Sequence, residues 1–215
     1  LDRPAERLRV FLRFGLGQQG VLDREERTAG VLHVLLFAAF LVLALRTVTL
    51  FGIGLDPAFH LPGLGPASAA GRAYVLVKDL VVLGACAGAV GFLWRRLVTR
   101  PARVKRSWEG VVILCFILGL MGTELLFDGA ERLGSAYAAG LAPGLDLRAP
   151  GGSLAAAGLH AAGLPFEAVH AVGTSAFWLH LVLVAVFLNL LPFGKHFHVV
   201  TALPNVFLRA KPPGS

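Results

Sequence analysis

Four long apolar blocks constrain this chain more than any other feature of its sequence. They cover approximately residues 28–52, 73–97, 108–127 and 169–191. Each holds close to the twenty or so residues that a helix needs to cross a bilayer core about 30 Å thick. Only 15% of the 215 residues are charged, whereas a soluble domain carries about 25%. The sequence therefore predicts an all-α membrane protein, an antiparallel bundle of four transmembrane helices.

Basic residues are unevenly distributed around these blocks. Fifteen Lys and Arg side chains lie in residues 1–27, in the stretch 95–106 and in the C-terminal tail. Only Arg72, Arg132 and Arg148 lie in the other two connections. Because Lys and Arg accumulate on the cytoplasmic side of membrane helices, this bias predicts that both visible ends are cytoplasmic. Topology thus explains the net charge of +7, and we expect no nucleic-acid partner.

The segments outside the blocks define the domain organisation. Residues 1–27 alternate basic with apolar residues and predict an amphipathic cytoplasmic segment, which either docks to a partner or lies on lipid. Residues 28–203 form the predicted transmembrane domain, although residues 130–168 are too rich in Gly, Ala and Pro to predict a span. Residues 204–215 are expected to start a cytoplasmic linker. Since the first residue is Leu1, we expect a fragment of a longer protein.

Two histidines mark the last apolar block and the residues after it. His180 and His198 are eighteen residues apart, which is five turns of a helix and roughly 27 Å along its axis. If the last helix continues past a kink at Pro192, both imidazoles point the same way, one towards each side of the membrane. Neutral imidazole is a common axial ligand of haem iron, so this spacing predicts two stacked b-type haems.

A second histidine is available for the inner of these haems. His33 lies about five residues inside the first block, at the depth expected for His198. We therefore expect His33 and His198 to be the two axial ligands, with a hydrogen-bonded structural His33 as the alternative. His196 competes with His198, but two residues turn a helix by about 200°, so both cannot face one haem. We interpret His196 as a propionate or surface contact.

The last block resembles a known family of membrane cytochromes. The stretch LHLVLVAVFLNLLPFGKHFH is similar to the last helix of the gamma subunit of respiratory nitrate reductase, a dihaem cytochrome b. Closer still is the gamma-like membrane domain fused ahead of heterodisulfide-reductase-type iron–sulfur proteins, including electron-transfer-flavoprotein:menaquinone oxidoreductases. FGLGQQGVL, AGVLHVLLFAAFLVLALRTVTLFG, YVLVKDL and KHFHVVTALPNVF resemble that group. The resemblance covers most of the chain except about residues 130–168.

The resemblance implies an outer haem on His180 but leaves its second ligand open. The nitrate reductase subunits have a further histidine ten residues after the first, and that position is Leu43 here. His170, His60 and His160 remain as partners on the outer side. We expect His170, because it lies at the outer start of the last block and the fused relatives tend to have a histidine there.

Five charged side chains are expected near the outer ends of the first three blocks. They are Arg46, Lys78, Asp79, Glu124 and Asp128. Such charges either extend to the membrane surface or form a proton-handling pocket beside an outer haem. Lys78 resembles the quinol-site lysine of the nitrate reductase subunit, which implies that it binds a quinone oxygen. Asp79 or Glu124 would then carry protons.

These features predict the membrane part of a quinone-linked oxidoreductase in the bacterial inner membrane. One or two b haems would pass electrons between menaquinone and a cytoplasmic iron–sulfur domain or subunit, with an electron-transfer flavoprotein as a further partner. Cys86 and Cys115 lie inside apolar blocks without a CxxC pair, so we expect no iron–sulfur cluster within this chain. The alternatives are a haem-free anchor and a small transporter using Lys78 and Glu124.

Overall fold

The chain is helical throughout its regular structure. The computed structural model describes residues 3–22, 27–99, 108–193 and 197–208, and no β-strand occurs in these ranges. In chain order the helices are α1 (Pro4–Val10), α2 (Arg27–Leu55), α3 (Ala69–Trp94), α4 (Trp108–Ala138), α5 (Pro150–Ala161), α6 (Phe166–Leu190) and α7 (His198–Leu208). Short π-helical segments, Phe11–Leu16 and Arg95–Thr99, continue α1 and α3.

Four helices are long and apolar enough to cross a membrane. They are α2, α3 with its π-helical continuation, α4 and α6, and they cover the four predicted blocks. Large apolar side chains such as Val48 and Leu179 are about half exposed on these helices, as lipid contact requires. Trp94 ends α3 and Trp108 begins α4, and exposed Trp is typical of the membrane–water interface. The chain thus has the helices of a multi-pass membrane protein, as the sequence predicts.

The third helix is longer than the sequence predicts. The predicted block ends near Phe127, before a stretch rich in Gly, Ala and Pro, but α4 continues to Ala138. It ends where Gly140 adopts a left-handed conformation, with φ of 67°, and the Leu141 amide donates to the Ala136 carbonyl at 2.9 Å. This Schellman arrangement satisfies the last carbonyls of the helix. The helix continues through its charged residues because their side chains form ion pairs with side chains of other helices.

The last predicted helix is divided in two. We expected a kinked helix from the fourth block to His198, but α6 ends at Leu190 and α7 begins at His198. Pro192 lies in the turn between them, since it lacks an amide hydrogen and its ring clashes with the preceding helical turn. The prediction that His180 and His198 share one face of one helix is therefore wrong.

Residues 130–168, where the sequence predicts no span, contain the short helix α5. It packs against α3 and α4, and with α6 it encloses a small apolar core. The core consists of Ala130, Leu133, Ala156 and Val169. This core lies in one compact unit, Leu35–Val184, while Leu1–Val34 and Ala185–Ser215 form the other.

The contact between α4 and α5 depends on Gly129. A Cβ added there would lie 2.6 Å from the Ala155 Cβ, whereas one added at Gly122, on the same helix, meets nothing within 4 Å. We expect Gly129→Ala to displace α5 and to lower the free energy of unfolding by about 1–3 kcal/mol. Gly122→Ala should instead raise it by about 0.5–1 kcal/mol, because Ala favours a helix. Denaturant titration in detergent checks both, and effects of equal sign would contradict the close packing.

Candidate functional site

Two imidazoles face each other in the unit formed by the chain ends. His33 lies in the second turn of α2, and His198 is the first residue of α7. Their ring centroids are 6.3 Å apart and the ring planes differ by 24°. The structure thus brings together the two histidines that the sequence selects as an axial pair.

The separation of these rings fits two ligands of one metal ion. With metal–nitrogen bonds of about 2.0 Å and a nitrogen about 1.1 Å from the ring centre, imidazoles on opposite sides of an ion have centroids about 6.2 Å apart. The observed 6.3 Å agrees with this value. His33 is half-buried and His198 is exposed, so the pair is accessible from the surface of this unit. In ring separation and in ligand chemistry, His33 and His198 therefore fit as the residues that would hold a haem.

The N-terminal segment holds the helix that carries His198. The Arg7 guanidinium donates hydrogen bonds to the last carbonyls of α7, at 2.9 Å to Leu208 and 3.4 Å to Phe207. A cation at a helix C-terminus is favourable because the helix dipole is negative there. The Phe11 ring packs edge-on against Phe207, with centroids 6.0 Å apart. The basic segment at the N-terminus is thus part of the support of α7.

His196, the competitor of His198, lies outside the described residues, as do Lys195 and the basic loop 100–107. Its interpretation as a propionate or surface contact stays a prediction.

His180 is buried in the other unit and has a defined hydrogen-bond partner. Its side chain on α6 is 4% exposed, and its Nδ1 lies 3.0 Å from the Thr123 hydroxyl oxygen. That hydroxyl lies within hydrogen-bond distance of the Gly119 and Leu120 carbonyls, at 2.9 and 3.0 Å, and donates its hydrogen to them. In the neutral tautomer that matches this donation, Nδ1 of His180 carries the hydrogen and Nε2 has a lone pair. In metal sites, a hydrogen bond from the other ring nitrogen likewise orients a ligating histidine.

The structure brings no second imidazole to His180 among the described residues. His170 is exposed and lies ten residues earlier on α6, about 15 Å away along the axis. His160 is also exposed, and its Nδ1 lies 3.0 Å from the Tyr137 hydroxyl. His60 is exposed in the connection after α2, 3.4 Å from the Leu61 carbonyl. The assignment of His170 as the second ligand stays a prediction.

A network of ion pairs joins α2, α3 and α4. The Arg46 guanidinium donates to Glu124 Oε1 and Asp128 Oδ1, both at 2.7 Å. The Lys78 ammonium contacts Asp79 Oδ1 at 2.9 Å, Glu124 Oε1 at 3.1 Å and also Asp128 Oδ2. The five charged side chains that the sequence places near one another thus form a single buried cluster.

Burial makes this cluster unusual. Asp79 and Glu124 are each 1% exposed and Lys78 is 3% exposed. Three carboxyl groups face two cations, and the second oxygen of Glu124, Oε2, is buried without a hydrogen-bond partner in the described part of the chain. Charges within membrane spans are costly and mark functional positions. Glu124 Oε2 is therefore an acceptor for which the described residues supply no hydrogen-bond donor.

Asp79 has a structural role that the sequence did not indicate. Its Oδ2 accepts a hydrogen bond from the Gly152 amide at 2.9 Å, near the start of α5. A Cβ on Gly151 would lie 3.2 Å from the same oxygen, so the backbone approaches the carboxyl group closely. A carboxylate at a helix N-terminus is stabilised by the exposed amides and the helix dipole. Asp79 thus fastens α5 to α3 while it also pairs with Lys78.

A polar cleft adjoins the cluster. It has a volume of about 540 Å³. Its charged and hydroxyl-bearing lining includes Arg46, Tyr74, Lys78, Asp128, Glu131 and Arg132. Arg132 is also 3.5 Å from Asp146, in the connection before α5. The volume lies in the range of about 300–1,000 Å³ that is typical of ligand sites.

Two residues of this region escaped the sequence analysis. Thr123 supports His180, and Glu131 lies exposed at the cleft. Both carried a signal: Thr123 is a hydroxyl in an apolar block, and Glu131 follows Glu124 by seven residues, which is two helical turns. The spacing of Glu131 was not recognised, because the predicted helix ended at Phe127 and did not include that residue.

Comparison with known proteins gives one informative relative. The chain is 29% identical over 206 residues to the probable iron-sulfur-binding oxidoreductase FadF of Bacillus subtilis (strain 168). The alignment covers 96% of this chain but only 27% of the relative, so the chain spans about a quarter of that protein. No family model and no solved structure matches the chain. The similarity fits the expected association with an iron–sulfur oxidoreductase.

Proposed function

We propose that this chain is a membrane b-type cytochrome domain that exchanges electrons between menaquinone or menaquinol and a cytoplasmic iron–sulfur module. The observation that carries the proposal is the His33–His198 pair, whose 6.3 Å separation suits two axial ligands of one iron. A haem b in that place supplies one-electron transfer. The two imidazoles would hold it, and Arg7 fixes the helix that carries one of them.

The proposed arrangement is an antiparallel four-helix bundle in the bacterial inner membrane. Residues 1–27 and 204–215 lie at the cytoplasmic face, and residues 28–203 form the membrane domain. The distribution of Lys and Arg supports this orientation. In this orientation His33 and His198 lie near the cytoplasm, where an iron–sulfur module could exchange electrons with the haem that they would hold. An electron-transfer flavoprotein would then act through that module.

The proposed quinone site lies beside the buried cluster, on the side of Lys78 towards His180. Lys78 donates a hydrogen bond to a quinone oxygen, and Glu124 Oε2 accepts one from a quinol hydroxyl. Supporting this choice, Thr123, which binds His180, directly precedes Glu124 on α4. A second haem on His180 takes His170, His60 or His160 as its other ligand, and we propose His170.

Haem content and quinol reduction test this function. We expect the purified protein to show a b-type absorption spectrum, with pyridine haemochrome giving close to two haems per chain if His180 also binds one. A menaquinol analogue should reduce the haem. Protein that folds in detergent without haem would instead indicate an anchor for the iron–sulfur module. If the protein holds about one haem per chain and His180→Ala still holds it, the proposal of an outer haem is wrong.

A further inference from the structure

Carboxyl groups of increasing exposure follow one face of α4. Glu124, Asp128 and Glu131 are four and three residues apart, which puts them on the same face of the helix. The side chain of Glu124 is 1% exposed and that of Asp128 is 20% exposed, whereas Glu131 is exposed. The series therefore leads from the buried cluster to the surface.

The cleft connects the outer part of this series to water. Asp128 and Glu131 both line it, whereas Glu124 does not. A volume of about 540 Å³ can hold several water molecules, each of which occupies about 30 Å³. Asp128 links Glu124 to the cleft. Both carboxyl groups form ion pairs with Arg46 and Lys78, so they belong to one hydrogen-bonded network.

Asp79 is not part of this series. Both of its oxygens have partners, Lys78 and the Gly152 amide, and it does not line the cleft. Of the carboxyl groups in the cluster, Glu124 has the unpartnered oxygen and Asp128 reaches the cleft. The two features that a proton path needs, an inner acceptor and an outlet to water, therefore both lie on α4.

We propose that the protons of the quinone reaction pass along this face of α4, from Glu124 through Asp128 to Glu131 and the water of the cleft. This inference rests on the proposed function. Oxidation of a quinol to a quinone releases two electrons and two protons. A bound haem would take up the electrons one at a time and pass them to the iron–sulfur module, and each proton moves from a quinol hydroxyl to Glu124 and then outward. Quinone reduction uses the same groups in the opposite order.

Glu131→Gln tests the path, because Gln keeps the size of the side chain but cannot carry a proton. We expect haem reduction by a menaquinol analogue to slow by about tenfold or more. Added formate, a small weak acid, should restore much of the rate, because Glu131 is exposed. Glu124→Gln should slow the reaction as much, but formate should not restore it, since that side chain is 1% exposed. Reduction by dithionite, which needs no quinol proton, should be unchanged.

Glu167→Gln is the matched control, because Glu167 is exposed in the first turn of α6 and does not line the cleft. It should keep the normal rate. A normal rate in Glu131→Gln, or an equal loss in Glu167→Gln, would overturn the path. The unsubstituted protein separates this failure from failure of the proposed function. If that protein lacks haem, or if quinol does not reduce it, the function fails whatever the variants do.

Discussion

His33→Ala and His198→Ala should each abolish binding of the same haem. The two rings are 6.3 Å apart, and in the proposed site each would supply one of the two nitrogen ligands of the haem. We expect the low-spin b absorption of the inner haem to disappear in either variant and in the double variant alike. Redox titration of the remaining absorption identifies which haem is lost, and circular dichroism checks that the helices persist.

Two other histidines serve as controls for this loss. His160→Ala should retain the haem, because that ring is exposed and lies beside the Tyr137 hydroxyl. His196→Ala should retain it as well if His198 is the ligand. Loss of the haem in His196→Ala with retention in His198→Ala would show that the ligand was assigned to the wrong histidine. If both His33→Ala and His198→Ala retain the haem, the proposed inner site is wrong.

Lys78→Ala should be the most destabilising single change in the buried cluster. Lys78 is 3% exposed and contacts three carboxyl groups, so its removal leaves Asp79, Glu124 and Asp128 with Arg46 as the remaining cation of the cluster. Removing one partner of a buried ion pair costs about 3–5 kcal/mol. Denaturant unfolding in detergent should show a loss of this size, whereas Arg148→Ala, at an exposed position, should change little.

Lys78→Arg separates the structural from the functional role of Lys78. Arg keeps the charge but presents a planar fork instead of a compact ammonium group. We expect the variant to fold and to retain its haem, while a menaquinol analogue reduces that haem at least about tenfold more slowly. Normal reduction kinetics would mean that Lys78 only pairs with the carboxyl groups. The quinone would then bind elsewhere.

The sequence by itself determined the features that follow from local composition and spacing. Blocks of about twenty apolar residues must become helices in a bilayer, because an unpaired backbone amide is too costly there. The choice of His33 and His198 as a pair also came from the sequence, and the structure puts their rings 6.3 Å apart. Counting residues along such helices put Arg46, Lys78 and Glu124 at similar depths, and the structure joins them by ion pairs.

Only the tertiary structure decided how helices end and which polar groups meet. Counting residues assumed one helix from His180 to His198, but Pro192 lies in a turn between two helices. The helix continues through the charged residues after Phe127, because Arg46 and Lys78 from other helices form ion pairs there.

The partners of Asp79 and His180 also lie far away in sequence. The Gly152 amide binds Asp79, and the Thr123 hydroxyl binds His180. Spacing along one helix cannot reveal such contacts, because they depend on how separate helices are rotated and packed against one another.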